Sequence, residues 1–460
     1  MSGDEPLLEP GASAPPGAPP QHVGLGVWQL AWPTMLSFAL QTLVGFVDTL
    51  IVSALGSEAV AAVGMGHQVY FALFAVLAAV TTGTVALVAR FSGAGDPAEA
   101  DRVLRLSALL GCALGAALML AIPWAEEVIA LFGVEPAVAS RGGAYLRILL
   151  AFNVPFFFSV VLAMGIRGAG DVRTPLLVGF AVNAVNVALN YGLVYGRFGL
   201  PALGTDGSAL GTGIAMSAAS LAYLALWSRN ALAVPRRGWT RGLTRARARR
   251  ILRIGLPTAL EQGAFQLGLL LFIKIVARFG TEPVSAYVIG VRILALSFVP
   301  GLGFSTAGGT LVGQHLGAGE PALAARAGWR ATGGAVAVMG SVGLAIILLA
   351  QPIARVFGAA GDVTVQLTVV FIYILGAAQP LMAVEFALGG ALRGAGDTRF
   401  PLFAILTGLF AVRLAGALLV ADAFGGGVVA VWSCLLADYA AKAALLGSRF
   451  ASGAWQRVKV

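Results

Sequence analysis

The chain has 460 residues, of which 58% are hydrophobic and only 11% charged, against roughly 25% charged in a soluble domain. That balance excludes a soluble globular protein, and the net charge of +9 must be compared with the arginine excess of cytoplasmic membrane loops before it suggests nucleic acid. Two cysteines, Cys112 and Cys434, both inside apolar runs, exclude a disulfide framework and a cysteine metal site.

In chain order, residues 1–25 are rich in Pro, Gly and Ala, lack a basic, apolar leader pattern, and read as a disordered cytoplasmic tail. Apolar runs longer than a ~20-residue spanning helix then recur near 26–54, 59–90, 104–132, 140–166, 174–198 and 205–229. Six more lie near 251–279, 284–317, 327–357, 365–392, 400–423 and 426–449. The expected fold is all-α, a polytopic membrane protein of twelve transmembrane helices. Its parts are an N-lobe (26–229), a basic linker (230–250), a C-lobe (251–450) and a short cytoplasmic tail (451–460). With the N-terminus inside, the inner turns hold Arg90, Arg102, Arg105, Arg167, Arg173, Arg326, Arg330, Arg393 and Arg399. The linker region adds nine arginines, among them Arg237, Arg241, Arg245, Arg249 and Arg253, while the outer turns hold chiefly Arg197, Arg278 and Arg355. The positive-inside bias places both termini in the cytoplasm and accounts for the basic charge without nucleic acid.

One decapeptide occurs twice, Arg167-Gly-Ala-Gly-Asp171-Val-Arg173-Thr-Pro175-Leu176 and Arg393-Gly-Ala-Gly-Asp397-Thr-Arg399-Phe-Pro401-Leu402, 226 positions apart. Pro33-Thr34 matches Pro257-Thr258, Gly56-Ser57-Glu58 matches Gly280-Thr281-Glu282, and the turn Gly93–Pro97 matches Gly317–Pro321, each at 224; Phe132-Gly133 and Phe357-Gly358 match at 225. A register that drifts one residue at a time marks a duplication. Each unit has an even number of spans, so the halves share one orientation, related by a pseudo-twofold axis along the membrane normal. The decapeptide itself reads as a scaffold or gate: its glycines permit tight turns and its arginines fix topology.

A charge at the bilayer centre costs at least ~2.5–3.5 kcal/mol on insertion scales, so each one there needs a partner, water or a function. Asp48 reads as the middle of the first span, with Gln41 two turns earlier on the same face. Asn183, Asn186 and Asn190 lie in the fifth span, Asn186 and Asn190 on one helical face. A carboxylate and amide oxygens suit a proton or a small cation; interhelical hydrogen bonding is the alternative. In the second half, Glu261, Gln262, Glu385 and Arg413 are candidates for substrate contact or coupling. Glu385 could equally neutralise an arginine, and Arg292 and Arg413 are expected in internal ion pairs. Asp438 and Lys442, four apart, should pair with each other, and Lys274 should snorkel outward. The chain has no G-x-x-x-x-G-K-[ST] phosphate loop and no H-E-x-x-H, and its three histidines are scattered. An ATP-driven pump or a membrane hydrolase finds no support.

Residues about 25–450 resemble the multidrug and toxic compound extrusion transporters, prokaryotic branch. The likeness rests on Pro33…Val47-Asp48-Thr49, the Gly56-x-Glu58 turn, the Arg-Gly-x-Gly-Asp turns, and Gly255-Leu256-Pro257…Leu260-Glu261-Gln262. The stretch Gly303-Phe304…Gly313-Gln314…Gly317-Ala318-Gly319 belongs to it too. The resemblance implies two six-helix lobes around a central cavity and export of cationic or amphiphilic compounds by antiport with protons or sodium. It implies a transporter in a lipid bilayer that is no enzyme and needs no cofactor. We expect a monomer; abundant Ala, Gly and Arg suggest a high-GC bacterial source and hence the cytoplasmic membrane. Asp48 matches the family's first-helix aspartate, Asn186 a fifth-helix asparagine and Thr212 a sixth-helix threonine, together a cation-coupling set that could hold sodium. Asn190 stands where some members carry a second aspartate, and Glu261 lies about one turn from the seventh-helix glutamate of other branches. The rival reading is a lipid-linked saccharide or lipid flippase of related fold. A major facilitator carrier is disfavoured, because residues 90–96 lack its signature turn.

Overall fold

A computed structural model describes residues 26–236, 243–357 and 362–458. The tail 1–25, Arg237, Arg241, Gly358 and the last two residues lie outside that set. Among the described residues there is no strand. The helices are α1 (Val27–Ser53), α2 (Ser57–Gly93), α3 (Pro97–Met119), the short α4 (Ala125–Ala130), α5 (Pro136–Ala151), α6 (Asn153–Gly168), α7 (Arg173–Tyr195) and α8 (Thr205–Ser228). The second half holds α9 (Arg245–Phe279), α10 (Thr281–Gly317), α11 (Pro321–Leu348), the short α12 (Ala350–Phe357), α13 (Asp362–Ala395), α14 (Arg399–Asp422) and α15 (Val428–Ala451). Among the described residues eleven helices are long and apolar enough to cross a membrane, and α5 with α6, bent by 57° at their junction, counts as a twelfth if the pair is one span. The all-helical membrane architecture is therefore the one the apolar runs require.

Three boundaries differ from the hydropathy reading. The third span stops at Met119 instead of running to 132, and a 3-10 turn containing Pro123 precedes α4. A proline lacks the N–H and crowds the preceding turn, which weakens a helix locally; at Pro123 the chain breaks, whereas α1, α9, α10 and α13 run on through Pro33, Pro257, Pro300 and Pro380. The ninth span likewise ends at Leu348, before α12 with Pro352. The last part of the basic linker is helical: Thr244 accepts from the Arg247 N–H and starts α9 inside the stretch read as linker. Beyond α15, Trp455 is fully buried, stacks on Phe450 at 4.6 Å and donates to the Phe450 carbonyl at 2.8 Å, so the described part of the tail is docked.

The two halves meet along a seam made by the first turns of α1 and the second part of α2 on one side, and by α9 and α10 on the other. Backbones touch there. A Cβ at Gly93 would overlap the Gln314 carbonyl oxygen, and one at Gly317 would overlap the Arg90 carbonyl oxygen. Gly317 is 224 residues after Gly93, and Gln314 is 224 after Arg90, so each contact is the other's image. The same shift relates Gly255 against the Ala79 carbonyl to Gly303 against the Ala31 carbonyl. The duplication is thus expressed as a pseudo-twofold seam. It lies toward the arginine-rich end where α1 begins, whereas the opposite half of α2, up to Phe74, packs mainly on its own half of the molecule.

Candidate functional site

The first-half polar residues converge. Asn190 Nδ2 donates to Asp48 Oδ1 at 2.7 Å and lies 3.4 Å from Asn186 Oδ1, while Asn186 Nδ2 donates to Thr212 Oγ1 at 3.1 Å. The four-residue spacing on α7 stacks the two amides as the sequence predicts. Both asparagines are buried, and a Cβ at Gly211 would overlap Asn190 Oδ1, so only glycine there lets α8 approach the amide. One turn further, the Tyr195 hydroxyl donates to the Ile51 carbonyl at 2.5 Å and ties α7 to α1.

Asn190 Oδ1 is buried with no hydrogen-bond partner among the described residues. A buried acceptor left without any partner costs about 1–3 kcal/mol, so this oxygen has capacity for a water, a proton donor or a cation. With Asp48, Asn186 and Thr212 it forms an all-oxygen set of one carboxylate and neutral dipoles, the hard ligands that protons and alkali ions prefer. Asp48 stands five residues before the end of α1, not at mid-span, which puts it about 7 Å from the helix terminus. The apolar run around it continues to both sides and conceals this offset. Gln41 is exposed and outside the network, and Asn183 makes no side-chain hydrogen bond to it.

The second half is organised by ion pairs. Glu261, buried on α9, receives Arg393 Nη1 at 2.7 Å; this arginine belongs to the second decapeptide, where its place in the sequence marks it only as a topology signal. Gln262 is exposed. Asp438 and Lys442 pair at 3.1 Å as expected, but they are part of a larger cluster: Arg413 also pairs with Asp438, and Lys442 lies 3.5 Å from Glu385. Glu385 thus faces a lysine instead of an arginine. Arg413 lies over the rings of Phe272 and Tyr439 at 5.8 and 5.2 Å. It sits in a π-helical stretch, Thr407–Leu414, a widened turn of the kind frequent at functional positions. Arg292 is exposed and makes no ion pair among the described residues, because its position on α10 faces out of the bundle. Sequence spacing could not show the Arg413 and Arg393 partners, since each lies on another helix.

The repeat shows where the halves part chemically. The position 224 after Asp48 is Phe272, the ring beneath Arg413, and the position 224 before Glu261 is Ser37. Arg167, the counterpart of Arg393, accordingly lies over Phe38 at 5.4 Å instead of meeting a carboxylate. The first decapeptide makes structural contacts: Asp171 caps α7 by accepting from the Thr174 N–H at 2.9 Å, and Thr310 and Gln314 donate across the seam to the Arg167 and Gly168 carbonyls, each at 3.1 Å.

The sequence model of the MatE family matches residues 33–192 and 257–419, one block in each half. A probable multidrug resistance protein NorM of Thermotoga maritima is 30% identical over 440 residues, covering 93% of this chain and 92% of its own. The multidrug resistance protein NorM of Burkholderia vietnamiensis is 28% identical, covering 95% and 96%. Among solved structures, one described as the outward-facing conformation of a multidrug resistance MATE family transporter superposes with a TM-score of 0.87 at 24% identity, covering 93% of this chain and 96% of that one. A MOP superfamily transporter from Pyrococcus furiosus, described as having a binding pocket of reverse polarity, gives 0.87 at 23% identity over 95% and 98%. A duplicated all-helical bundle, matched in both halves and along nearly its whole length, belongs to the multidrug and toxic compound extrusion family, and the chain is a membrane transporter, not an enzyme.

Proposed function

We propose that this transporter exports cationic or amphiphilic organic compounds by antiport with protons or sodium, its two lobes rocking about the seam. The observation that carries the reading is the hydrogen-bonded line from Asp48 through Asn190 and Asn186 to Thr212, with one buried oxygen left free. In the positive-inside orientation the closed seam is cytoplasmic and Asp48 lies in the outer part of the bundle. A bacterial cytoplasmic membrane, cytoplasmic termini and a monomeric carrier belong to the same proposal.

The chemistry follows from the donor inventory. Ionised Asp48 accepts from the Asn190 amide. A proton on the carboxyl creates a new donor whose natural acceptor is the free Asn190 Oδ1, and sodium would be held by the same oxygens with Asp48 supplying the charge. Either event rearranges the α1–α7 contact. The ion drives export only because it binds one conformation better than the other. Glu385, held by a single lysine at 3.5 Å, and Glu261 with Arg393 would supply the C-lobe response.

Dye efflux from proteoliposomes under an imposed proton or sodium gradient tests this. Asp48→Asn should abolish gradient-driven efflux while membrane insertion and thermal unfolding stay at the wild-type level. Unchanged efflux in that variant would remove Asp48 from coupling, and movement of a lipid-linked saccharide without dye export would put a flippase in place of the efflux reading.

A further inference from the structure

At the arginine-rich end of the bundle a cavity of about 720 Å³ opens between the start of α9, the second decapeptide turn, the start of α14, the end of α15 and the docked tail. It is lined by Arg249, Arg250, Arg253, Arg399 and Arg449, and Asp397 is its one carboxylate among the described residues. That aspartate is already engaged by Arg449 at 2.8 Å. Arg250 lies over the Phe91 ring at 5.5 Å. Arg249, Arg253 and Arg399 are exposed and make no ion pair among the described residues. Guanidinium groups crowded around one cavity repel each other, and their planar forks match phosphate oxygens in bidentate geometry.

A second hollow of about 390 Å³ adjoins the first, sharing Arg249 and Arg253. Its remaining wall is largely apolar and outward-facing: Leu252 and Leu256, on α9, are 39% and 54% exposed. Phe403 on α14, also in the wall of the first cavity, is 53% exposed. A cationic cup at the level of the headgroups, continuous with an apolar groove along a membrane-spanning helix, has the amphiphilic shape of a lipid and not of a free anion. We propose that this pocket binds the phosphate headgroup of an acidic phospholipid, with one acyl chain lying against Leu252 and Leu256. Basic pockets of this kind at the inner membrane face are suited to anionic headgroups. None of Asp48, Asn186, Asn190 and Thr212 lines the pocket.

The test uses delipidated full-length protein in detergent, titrated with phosphatidylglycerol, phosphatidylcholine or inorganic phosphate. Native mass spectrometry counts bound lipid, and thermal unfolding reports stabilisation. Phosphatidylglycerol should bind and raise the midpoint while phosphatidylcholine does neither. Arg249→Gln/Arg253→Gln/Arg399→Gln should weaken the binding roughly a hundredfold, as expected for three headgroup contacts. Arg326→Gln/Arg330→Gln, at the same end of the bundle but outside the pocket, should bind as the unaltered protein does. If the triple variant does not fold, Arg399→Glu alone, an exposed change that leaves α9 intact, should still weaken binding. Equal stabilisation by inorganic phosphate would assign the pocket to a free anion. Equal retention of phosphatidylcholine, or an equal loss in the Arg326/Arg330 control, would reduce the effect to general surface charge. Any of these three results overturns the proposal.

Discussion

Glu261 and Arg393 show what an ion pair means when it is shielded from water. Their side chains are 8% and 20% exposed, whereas Arg278 and Asp422, also paired, are 54% and 63% exposed. Removing one partner of a buried pair leaves a charge without compensation, which typically costs about 3–5 kcal/mol; an exposed pair contributes at most about 1 kcal/mol. Glu261→Gln should therefore lower thermal stability in detergent clearly, and Glu261→Gln/Arg393→Gln should recover part of the loss. Asp422→Asn should change little. A double-mutant cycle showing no coupling between Glu261 and Arg393 would contradict the assigned pair. At this scale the sequence exposed the charges but not their partners. Asp438 and Lys442 were readable because both sit on one helix at i and i+4. Arg393 and Arg413 were not, since the residues they meet arrive from helices far away in the chain. Asp48, Asn186 and Asn190 could be grouped from their chemistry and spacing, Thr212 only through the family resemblance, and their hydrogen bonds now give that grouping a geometry.

Helices were legible where hydropathy changes abruptly and illegible where an apolar run contains a break. Pro123 and Pro352 each interrupt such a run, and charge alone could not separate the linker arginines from the first turns of α9. The glycines carry more information than the apolar residues between them. At Gly93 and Gly317 the opposing backbone leaves no room for a methyl group, whereas a Cβ at Gly45, nearer the other end of α1, would meet nothing within 4 Å. Gly93→Ala and Gly317→Ala should each push the seam apart. With Cys112 and Cys434 replaced, a cysteine introduced at Thr310, buried at the seam, should then react faster with a water-soluble maleimide. Gly45→Ala should leave the rate unchanged. Equal rates in all three backgrounds would mean that the seam adapts to the added carbon.

At the scale of the molecule, duplication supplies a frame and function breaks its symmetry. Contacts at the seam exchange under a 224-residue shift, while Asp48 maps onto Phe272 and Glu261 onto Ser37. The shared part is what holds two lobes together; the unshared part is where each has its own polar chemistry. If export proceeds by rocking, the symmetric seam must open in every cycle, whichever ion drives it. Trp28 on α1 and Phe304 on α10 face each other across that seam with ring centroids 6.2 Å apart. Cysteines at both positions, in a background lacking Cys112 and Cys434, lie within reach of a short bis-thiosulfonate cross-linker. Bridging them should stop gradient-driven dye efflux, and reduction should restore it, with each single cysteine unaffected by the reagent. Closing the seam covalently leaves the Asp48 network untouched, so the loss would report the lobe motion itself. Full efflux from a preparation shown by mass to be completely bridged would mean that substrate crosses without the seam opening, and the rocking mechanism would have to be given up even if Asp48 remained essential.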